Sequence, residues 1–403
     1  MEEWKEYKLG TLTDRKIGYG IVQPGASVSG GVPVIKVNNI ISGLRNVEEL
    51  ETTSKDNDAK YSRTKLIGGE LIISVVGTIG KTAIVPMSFA GCNLVRATCL
   101  IDIKDNQLAS WVKYYIDSPQ GQRYIHENLN TTVQPTLNVK SLVDMPIPMY
   151  SSEYMKKVVS ILKSLDDKIE VNRKINENLE QQAQALFKSW FVDFEPFKNG
   201  EFVESELGMI PKGWRVGRLG EICAQSSIKV GIRNDVKVLS PVTTGKLMLS
   251  EEFFIKQVFS ENIAKYKVVR RGAFAYNPAR VNIGSLGRNE YDFDGAVSPV
   301  YVVFECMKGY SNYFDLFRKT ERFKTEVLLR AIGGVRQSLN YVDFAMIQTI
   351  IAPQNVVDTF NPLFERIKVI KKHLDTENDK LATLRDTLLP KLMSGELKVN
   401  EVY

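Results

Sequence analysis

The chain has 403 residues, a net charge of +6 and 43% hydrophobic residues. This length favours two or three domains, and the apolar content is sufficient for a core in each. The sequence has no run of about 18 apolar residues, which excludes a membrane-spanning helix. Its four scattered cysteines and two histidines exclude a structural zinc module, which needs four closely placed ligands, so we expect no metal site. Sparse cysteines and the lack of a signal peptide favour a reducing cytoplasm.

The positive charge is distributed unevenly along the chain. Residues 1–150 carry 16 Lys and Arg against 15 Asp and Glu, whereas residues 211–353 carry 21 against 13. A basic domain can contact phosphates and release counterions from a nucleic acid. Many solvated surfaces have the same composition, so charge alone permits nucleic-acid binding without requiring it.

The first half is predicted to be a mixed α/β domain, residues 1–150, followed by a long helix, residues 151–191. The segments "VPVIKVNNI", "GELIISVVG" and "TAIVPM" have the composition of strands, and "LASWVKYYIDSP" that of a helix. The segment from Glu153 to Phe191 contains no Gly or Pro, and Ser151 or Ser152 can cap its start. Residues 192–210 read as a polar and aromatic connector.

The second half repeats this order, with a domain at 211–353 and a helix plus tail at 354–403. "GAFAYN" and "VSPVYVVFE" are predicted strands, and "SNYFDLFRKTERFKTEVLLRA" is a predicted helix. Short phrases of the two halves also match in the same order, at offsets between 202 and 210 residues. The matched positions are Trp4 with Trp214, Gly10 with Gly220, Gly77 with Gly284, and Leu137 with Leu339. This spacing is too long for a solenoid repeat and indicates a duplicated unit of one globular domain and one helix.

Both long helices carry a narrow apolar stripe with the spacing of a short coiled coil. The expected core positions are Leu165, Asn172, Ile175, Leu179 and Leu186 in the first helix, and Ile367, Ile370, Leu374, Leu381, Leu384 and Leu388 in the second. Lys168 and Asn172 interrupt the first stripe and could fix the register. We expect an antiparallel pair, a rod of about 55 Å at about 1.5 Å per residue. The alternative is that each helix packs only on its own domain.

Two phrases invite an enzymatic interpretation, and both lack essential residues. "GTIGKT" at Gly77–Thr82 resembles a P-loop, but Val75 occupies the position of the first glycine. "YNPAR" at Tyr276–Arg280 resembles the N-P-P-[FY] loop of adenine methyltransferases, but it lacks the second proline and the stacking aromatic. We therefore predict no catalytic residues in this chain.

Several longer phrases carry a family resemblance. "LFKSWFVDFEPFKNG" from Leu186 and "SELGMIPKGWRVGRLGEI" from Ser205 resemble the central region of type I restriction–modification specificity subunits. "LRDTLLPKLMSGELKV" from Leu384 resembles their distal region, and "LNVKSLVDMPIP" from Leu137 fits the same family. The resemblance spans the whole chain. It implies an α+β fold with two similar target-recognition domains and two long helices in an antiparallel coiled coil.

The resemblance also implies function. Each domain would read one half of a split double-stranded DNA target, and the helices would fix the unread gap between the halves. Two methyltransferase subunits, which bind S-adenosylmethionine, would dock on the chain. Restriction subunits, which use ATP and Mg²⁺, would join for cleavage. The chain itself would hold no cofactor and would perform no catalysis.

Base recognition requires Arg, Lys, Asn, Gln or hydroxyl side chains on a surface that reaches the base edges. The polar loops of the two domains supply the candidates, although polar loops are more often merely solvated. Candidates in the first domain are Lys36, Asn38, Asn39, Thr78, Lys81, Thr82, Thr131, Thr132, Gln134 and Asn138. Candidates in the second domain are Asn277, Arg280, Asn282, Ser285, Arg288, Arg336, Gln337 and Asn340.

The ends of the two long helices are candidate docking sites for the methyltransferase subunits. They comprise Trp190, Phe191, Phe194 and Phe197 after the first helix, and Leu389, Pro390, Lys391 and Leu392 at the second. An exposed apolar surface of this kind can bind a partner. Alternatively, the aromatic residues wedge the connector against the second domain. We expect this packing role for most of them.

Two other functions are compatible with parts of the sequence. A self-contained restriction or modification enzyme would need a catalytic motif, which we do not find. A protein scaffold built on a coiled coil, with no nucleic-acid role, would show no steep salt-dependent DNA binding.

Overall fold

The computed structural model describes residues 4–130, 134–253, 259–331, 338–397 and 399. The chain forms two compact units, Met1–Asn172 with Asp375–Tyr403 and Arg173–Leu374. Both division points lie inside the long helices, so each unit contains one half of each helix. The first unit therefore also includes the C-terminal part of the chain.

The first unit contains short strands and helices followed by the start of a long helix. Its strands are β1 (Lys5–Lys8), β2 (Gly18–Tyr19), β3 (Val32–Ile35), β4 (Thr52–Thr53), β5 (Leu71–Ser74), β6 (Thr82–Ile84), β7 (Asn93–Leu94), β8 (Thr98–Ile101), β9 (Leu129–Asn130), β10 (Thr136–Leu137) and β11 (Pro146–Met149). Its helices are α1 (Val37–Ser42), α2 (Lys55–Ala59), α3 (Asn106–Asp117), α4 (Pro119–Glu127) and α5 (Val139–Val143), and α6 (Ser152–Phe191) begins here.

The second unit has a similar order of elements. Its strands are β12 (Phe202–Ser205), β13 (Gly208–Pro211), β14 (Arg215–Arg218), β15 (Cys223–Ser226), β16 (Lys237–Pro241), β17 (Leu247–Leu249), β18 (Lys267–Val269), β19 (Phe274–Tyr276), β20 (Leu286–Arg288), β21 (Gly295–Val297), β22 (Val302–Cys306) and β23 (Gln348–Ile351). Its helices are α7 (Ser250–Phe253), α8 (Tyr310–Phe317), α9 (Glu321–Arg330), α10 (Tyr341–Ala345) and the first half of α11 (Gln354–Met393).

The two units share one sheet topology, which confirms the internal repeat. A four-stranded sheet has the order β2-β8-β5-β6 in the first unit and β15-β22-β19-β20 in the second. In a second sheet, β3 pairs antiparallel with β4 and parallel with β7. The equivalent strand β16 pairs antiparallel with β17 and parallel with β21, and β18 extends this sheet.

The matched glycines of the repeat have a packing reason. The strand pairs β1–β11 and β14–β23 close each domain, and the backbone amides of Leu9 and Leu219 donate to Met145 and Ile347 at 2.8 and 2.9 Å. The next residues are Gly10 and Gly220. A Cβ on Gly10 would lie 2.7 Å from Val143, and one on Gly220 would lie 3.0 Å from Ala345. A side chain at either position would require the short helix or its side chains to shift, so glycine suits this close approach in both units.

The long helices pair antiparallel within each unit, as the sequence predicts. In the first unit, Asp166 of α6 accepts from Arg385 of α11 at 2.8 Å, and Asn172 donates to Glu377 at 2.7 Å. Residue numbers in these contacts thus increase along α6 and decrease along α11, as in an antiparallel pair. In the second unit, Glu180 contacts Lys371 and Phe191 contacts Phe360 with ring centroids 4.8 Å apart, again in opposite directions.

The predicted stripe needs correction at three positions. Ile175, Ile370 and Leu384 are 41%, 47% and 47% exposed, because they face away from the helix pair. Polar residues occupy part of the seam instead: Asn172 is fully buried, and Lys168 lies 3.6 Å from Glu377. The helix ends also pack on their own domains, so the two alternatives considered for the helices are both partly realised. Val158 and Leu162 of α6, for example, are buried in the core of the first unit.

Three local predictions were wrong. "VPVIKVNNI" is a strand only to Ile35 and then forms α1. The helix predicted over 311–331 is two helices, because the Thr320 hydroxyl accepts from the Phe323 amide and starts α9. The connector after α6 contains the hairpin β12–β13. In the described part of the chain, no helix has the length and apolar character required to cross a membrane.

Candidate nucleic-acid interface

In the first unit, three segments distant in sequence meet at the end of strand β5. The amide of Val75 donates to Ala97 at 2.8 Å, and the amide of Leu137 donates to Val75 at 3.0 Å. Val76 also forms a bridge with Thr136. The β5–β6 loop, the β7–β8 loop and the segment that leads into α5 therefore form one continuous surface, the first-unit loop surface (residues 75–81, 95–97 and 134–138).

The β5–β6 loop is a hairpin that holds its polar tip outward. The Ser74 hydroxyl donates to the Thr78 carbonyl at 2.6 Å and accepts from the Lys81 amide at 2.8 Å. Gly77 and Gly80 adopt positive φ values of 78° and 82°, which favour glycine. This geometry leaves Thr78 and Lys81 exposed. A P-loop joins a strand to a helix, so the hairpin also argues against phosphate cradling here.

Two residues that the sequence analysis missed lie on the same surface. The Tyr19 hydroxyl accepts from the Val139 amide at 3.2 Å, which places the ring beside the segment leading into α5. Burial raises the pKa of Tyr19, while the Val139 amide and the charge of Arg96 partly oppose that effect. Arg96 is exposed and has no carboxylate partner among the described residues. The proximity of Tyr19, Arg96 and Asn138 depends on the fold, so local sequence patterns gave no signal for it.

The other first-domain candidates have mixed surroundings. Asn138 is half-buried, and Gln134 is exposed and makes a contact within the chain. Thr82 donates to Asp117 at 2.5 Å. Asn39 accepts from the Lys36 amide at 2.7 Å and so helps to start α1, while Lys36 itself pairs with Glu51.

Three first-domain candidates remain, and only one of them lies in the described part of the chain. Asn38 is exposed on α1, a helix that contacts β5. Thr131 and Thr132 lie outside the described residues.

The second unit brings equivalent segments together. The amide of Leu339 donates to Pro278 at 3.1 Å, as Leu137 does to Val75, and the amide of Asn277 donates to Ser285 at 3.0 Å. A Cβ on Gly284 would lie 2.6 Å from the Thr243 carbonyl, so the β16–β17 turn lies against the β19–β20 loop. We call residues 242–246, 277–285 and 338–340 the second-unit loop surface.

The exposed groups of this surface are arranged by local hydrogen bonds. The Asn277 side chain accepts from the Ala279 amide at 3.1 Å and so shapes the loop. Arg280 and Asn282 are exposed, and Asn282 makes a contact within the chain. The Asn340 side chain accepts from the Asp343 amide at 2.9 Å and caps α10. Lys246, which the sequence analysis missed, is exposed on the neighbouring turn and forms no ion pair with any described residue.

Two second-domain candidates face the protein instead. Ser285 is 2% exposed and donates to the Pro241 carbonyl at 2.6 Å, so its prediction as a DNA contact needs correction. Arg288 donates to Asn312 at 2.9 Å and lies over the Phe274 ring, which directs it toward α8. Arg336 and Gln337 lie outside the described residues.

The predicted docking aromatics are mostly core residues of the second unit. Phe191 and Phe194 are buried and pack on Trp214 with ring centroids 5.9 and 5.4 Å apart. Phe197 also contacts Trp214, at 5.1 Å, and Trp190 contacts Phe360 at 5.6 Å. The wedge alternative therefore describes Phe191 and Phe194, which cannot dock a partner through their buried rings. Trp190 and Phe197 remain half-buried.

The same correction applies at the end of α11. Leu389 and Leu392 are buried in the core of the first unit, where the Tyr154 hydroxyl donates to the Leu392 carbonyl at 2.7 Å. Pro390 is half-buried and Lys391 is exposed. Only the latter two can contribute surface. Across the described ranges, no group of three His, Cys, Asp or Glu side chains is arranged to hold a metal ion.

Comparison with known proteins identifies the family. A family model described as "Type I restriction modification DNA specificity domain" matches residues 1–181. The specificity subunit of the type I restriction enzyme MjaIX from Methanocaldococcus jannaschii is 30% identical over 319 residues, which are 74% of this chain and 71% of that protein. The chain belongs to the type I restriction enzyme specificity subunits. Its role is DNA sequence specificity, as the resemblance implied.

Further relatives of this specificity subunit agree. The HindI specificity subunit of Haemophilus influenzae is 30% identical over 210 residues, which are 49% of this chain and 43% of that protein. The crystal structure of a type I specificity subunit from M. genitalium aligns over 97% of this chain and 96% of the other, with a TM-score of 0.54 and 14% identity. That likeness confirms the fold of the specificity subunit.

Proposed function

We propose that this specificity subunit reads a split double-stranded DNA target, one half with each loop surface. Its part in the reaction is recognition: phosphate contacts set the register, and side chains of the loop surfaces discriminate bases. The observation that carries the proposal is the recurrence of one arrangement. In each unit a hairpin of the four-stranded sheet lies beside the segment that leads into the short helix after it. Both surfaces also expose cationic side chains that form no ion pair with any residue the structure describes.

The exposed side chains have suitable chemistry. Arg96 and Arg280 can donate two parallel hydrogen bonds to guanine or contact phosphate, and Lys81 and Lys246 can donate to either. Thr78 can contact a base edge or the thymine methyl group. Thr78, Lys81, Lys246 and Arg280 lie on turns between paired strands, and Arg96 lies on the loop between β7 and β8.

We further propose that partner subunits supply the chemistry. Two methyltransferase subunits would bind S-adenosylmethionine and flip the target adenine out of the duplex while this chain holds the DNA. Restriction subunits, where present, would bring ATP and Mg²⁺. The surface still available to such partners at the helix ends comprises Trp190, Phe197, Pro390 and Lys391.

The test uses the assembled methyltransferase complex and its methylated motif. Duplexes are prepared with the intact target, with one half scrambled and with the other half scrambled. Lys81→Ala should reduce discrimination of one half only, and Arg280→Ala discrimination of the other half only. Lys163→Ala on α6, which removes an exposed cation paired with Asp167, is the charge-matched control and should change neither.

A base contact should cost about 1–3 kcal/mol of discrimination, whereas a phosphate contact should weaken all duplexes and lower the salt slope by about one. A folded variant that alters discrimination of both halves would refute the assignment. So would a folded variant that changes neither the discrimination of either half nor the salt slope.

A further inference from the structure

The two cysteines of the second unit face each other on neighbouring strands of a sheet. Cys223 begins β15 and Cys306 ends β22, and they are directly opposed in the antiparallel register. Their Sγ atoms lie 3.5 Å apart and are not bonded. In the first unit, Cys99 is instead opposed to Ile73 and Tyr19.

The hydrogen-bond pattern shows which kind of cross-strand pair this is. The Met307 amide donates to the Ile222 carbonyl at 2.8 Å, one residue outside the pair on each strand. Cys223 and Cys306 therefore form a non-hydrogen-bonded pair, in which the Cα atoms approach to about 4.5 Å. Disulfides bridge Cα separations of about 4.4–6.8 Å. The pair thus lies within bridging range without movement of the backbone ladder.

We propose that Cys223 and Cys306 are a reversible oxidation site at which a peroxide joins β15 to β22 through a disulfide. The site is independent of the proposed DNA-reading function. Because β15 is an edge strand of its four-stranded sheet, the bond ties that edge to its neighbour.

The two thiols have different roles in the reaction. Cys306 is half-buried whereas Cys223 is buried, so we assign the first reaction with peroxide to the more exposed Cys306. It attacks one oxygen, the O–O bond breaks, and the products are a sulfenic acid and water. The Cys223 sulfur then attacks the Cys306 sulfur, the S–O bond breaks, and a second water leaves with the Cys223 proton. Two thiols and one hydrogen peroxide thus yield one disulfide and two waters.

The environment of Cys223 supports this order. Cys223 is 2% exposed, and its pKa is raised well above the usual value by its contact with Cys306 and by burial. It therefore remains a protected thiol until the neighbouring sulfur becomes electrophilic. A small thiol reductant can attack the accessible Cys306 sulfur and restore both thiols.

The test treats the reduced full-length chain with hydrogen peroxide, blocks free thiols and measures the intact mass and the linked peptides. We expect the oxidised chain to take up two blocking groups where the reduced chain takes up four, to yield a Cys223–Cys306 linked peptide, and to regain all four thiols with dithiothreitol. Cys92→Ser is the matched control and should likewise lose two free thiols on oxidation. In Cys223→Ser, Cys306 should stop at the sulfenic acid and be trapped by dimedone, whereas in Cys306→Ser no sulfenic acid should form at Cys223.

Amide exchange provides the second measurement. Peptides of β15 should exchange more slowly after oxidation, while those of the hairpin β12–β13 should not change. Over-oxidation of Cys306 without a disulfide in the unchanged chain, a bridge to Cys92 or Cys99, or unchanged exchange in β15 would overturn the proposal.

Discussion

Glu180 offers a quantitative test of the helix pair in the second unit. Its carboxylate on α6 accepts from Lys319, in the turn between α8 and α9, at 2.7 Å, and it also pairs with Lys371 of α11. One side chain thus joins the long helix to its antiparallel neighbour and to the domain. We expect Glu180→Gln to weaken both connections and to leave two lysines without their common counter-charge.

The magnitude follows from the pKa of Glu180. Burial alone would raise this pKa, but the charges and hydrogen bonds of Lys319 and Lys371 outweigh burial and lower it from 4.5 to about 2. That fall corresponds to about 3 kcal/mol. The Glu180 side chain is 34% exposed, so solvent screening reduces the expected stabilisation to about 1–2 kcal/mol. Because the folded-state pKa is lowered, the stabilisation is present above pH 4.5 and is lost as the pH falls toward 2.

Hydrogen exchange measured against urea, followed by mass spectrometry of peptides from α8 to α11, reports the opening free energy of the second unit. Glu180→Gln should lower it by about 1–2 kcal/mol at pH 7, and the difference should shrink as the pH falls from 4.5 toward 2. Asp167→Asn on the same helix is the control, because its exposed pair with Lys163 is worth at most about 0.5 kcal/mol. Equal stability at pH 7, or a difference that persists to pH 2, would refute the reasoning.

Three further substitutions test the packing and the loop surfaces. Phe360→Ala should destabilise the second unit by about 3–5 kcal/mol in urea unfolding, because the ring is fully buried against Trp190 and Phe191; the same change at half-exposed Leu363 should cost far less. Gly20→Ala should lower the melting temperature, because its Cβ would lie 2.1 Å from the Leu94 carbonyl, at a cost of about 1–3 kcal/mol or more. Gly18→Ala, with its nearest neighbour at 3.8 Å, is the control, and equal melting temperatures would contradict this account. Arg96→Ala should weaken binding of the same DNA half as Lys81→Ala; an effect on the other half would separate Arg96 from that surface.

Much of the architecture was predictable because it is duplicated. The same packing recurs in both units, so equivalent positions carry the same residues in the same order. Gly10 and Gly220 are an example, since each lies against a short helix. The length of α6 was also legible from the absence of Gly and Pro, whereas α11 continues through Pro362 and Pro390 to Met393. The exact seam was not legible. The spacing placed both Asn172 and Ile175 in it, and in the structure Asn172 is fully buried whereas Ile175 is 41% exposed.

The loop surfaces were predictable as segments but not residue by residue. Whether a polar side chain is exposed depends on partners distant in sequence. The hydroxyl of Ser285, for example, donates a hydrogen bond to the carbonyl of Pro241, 44 residues away. Tyr19 and Arg96 joined the surface only because β2, β7 and the segment before α5 meet in the fold. The capping role of Asn340, in contrast, follows from local sequence rules, since this asparagine directly precedes a short helix.

Whether the two units read separate halves of one DNA target can be decided from a methylated-adenine motif. The host should carry this subunit and its methyltransferase as its only modification system. Single-molecule sequencing of the genome determines that motif. Sequencing again after residues 277–283 are replaced with those of a relative shows which part of the motif the second unit specifies. The account predicts two short specific blocks separated by a fixed unspecified gap, with only one block altered by the replacement. A single continuous motif, or a replacement that alters both blocks, would contradict it.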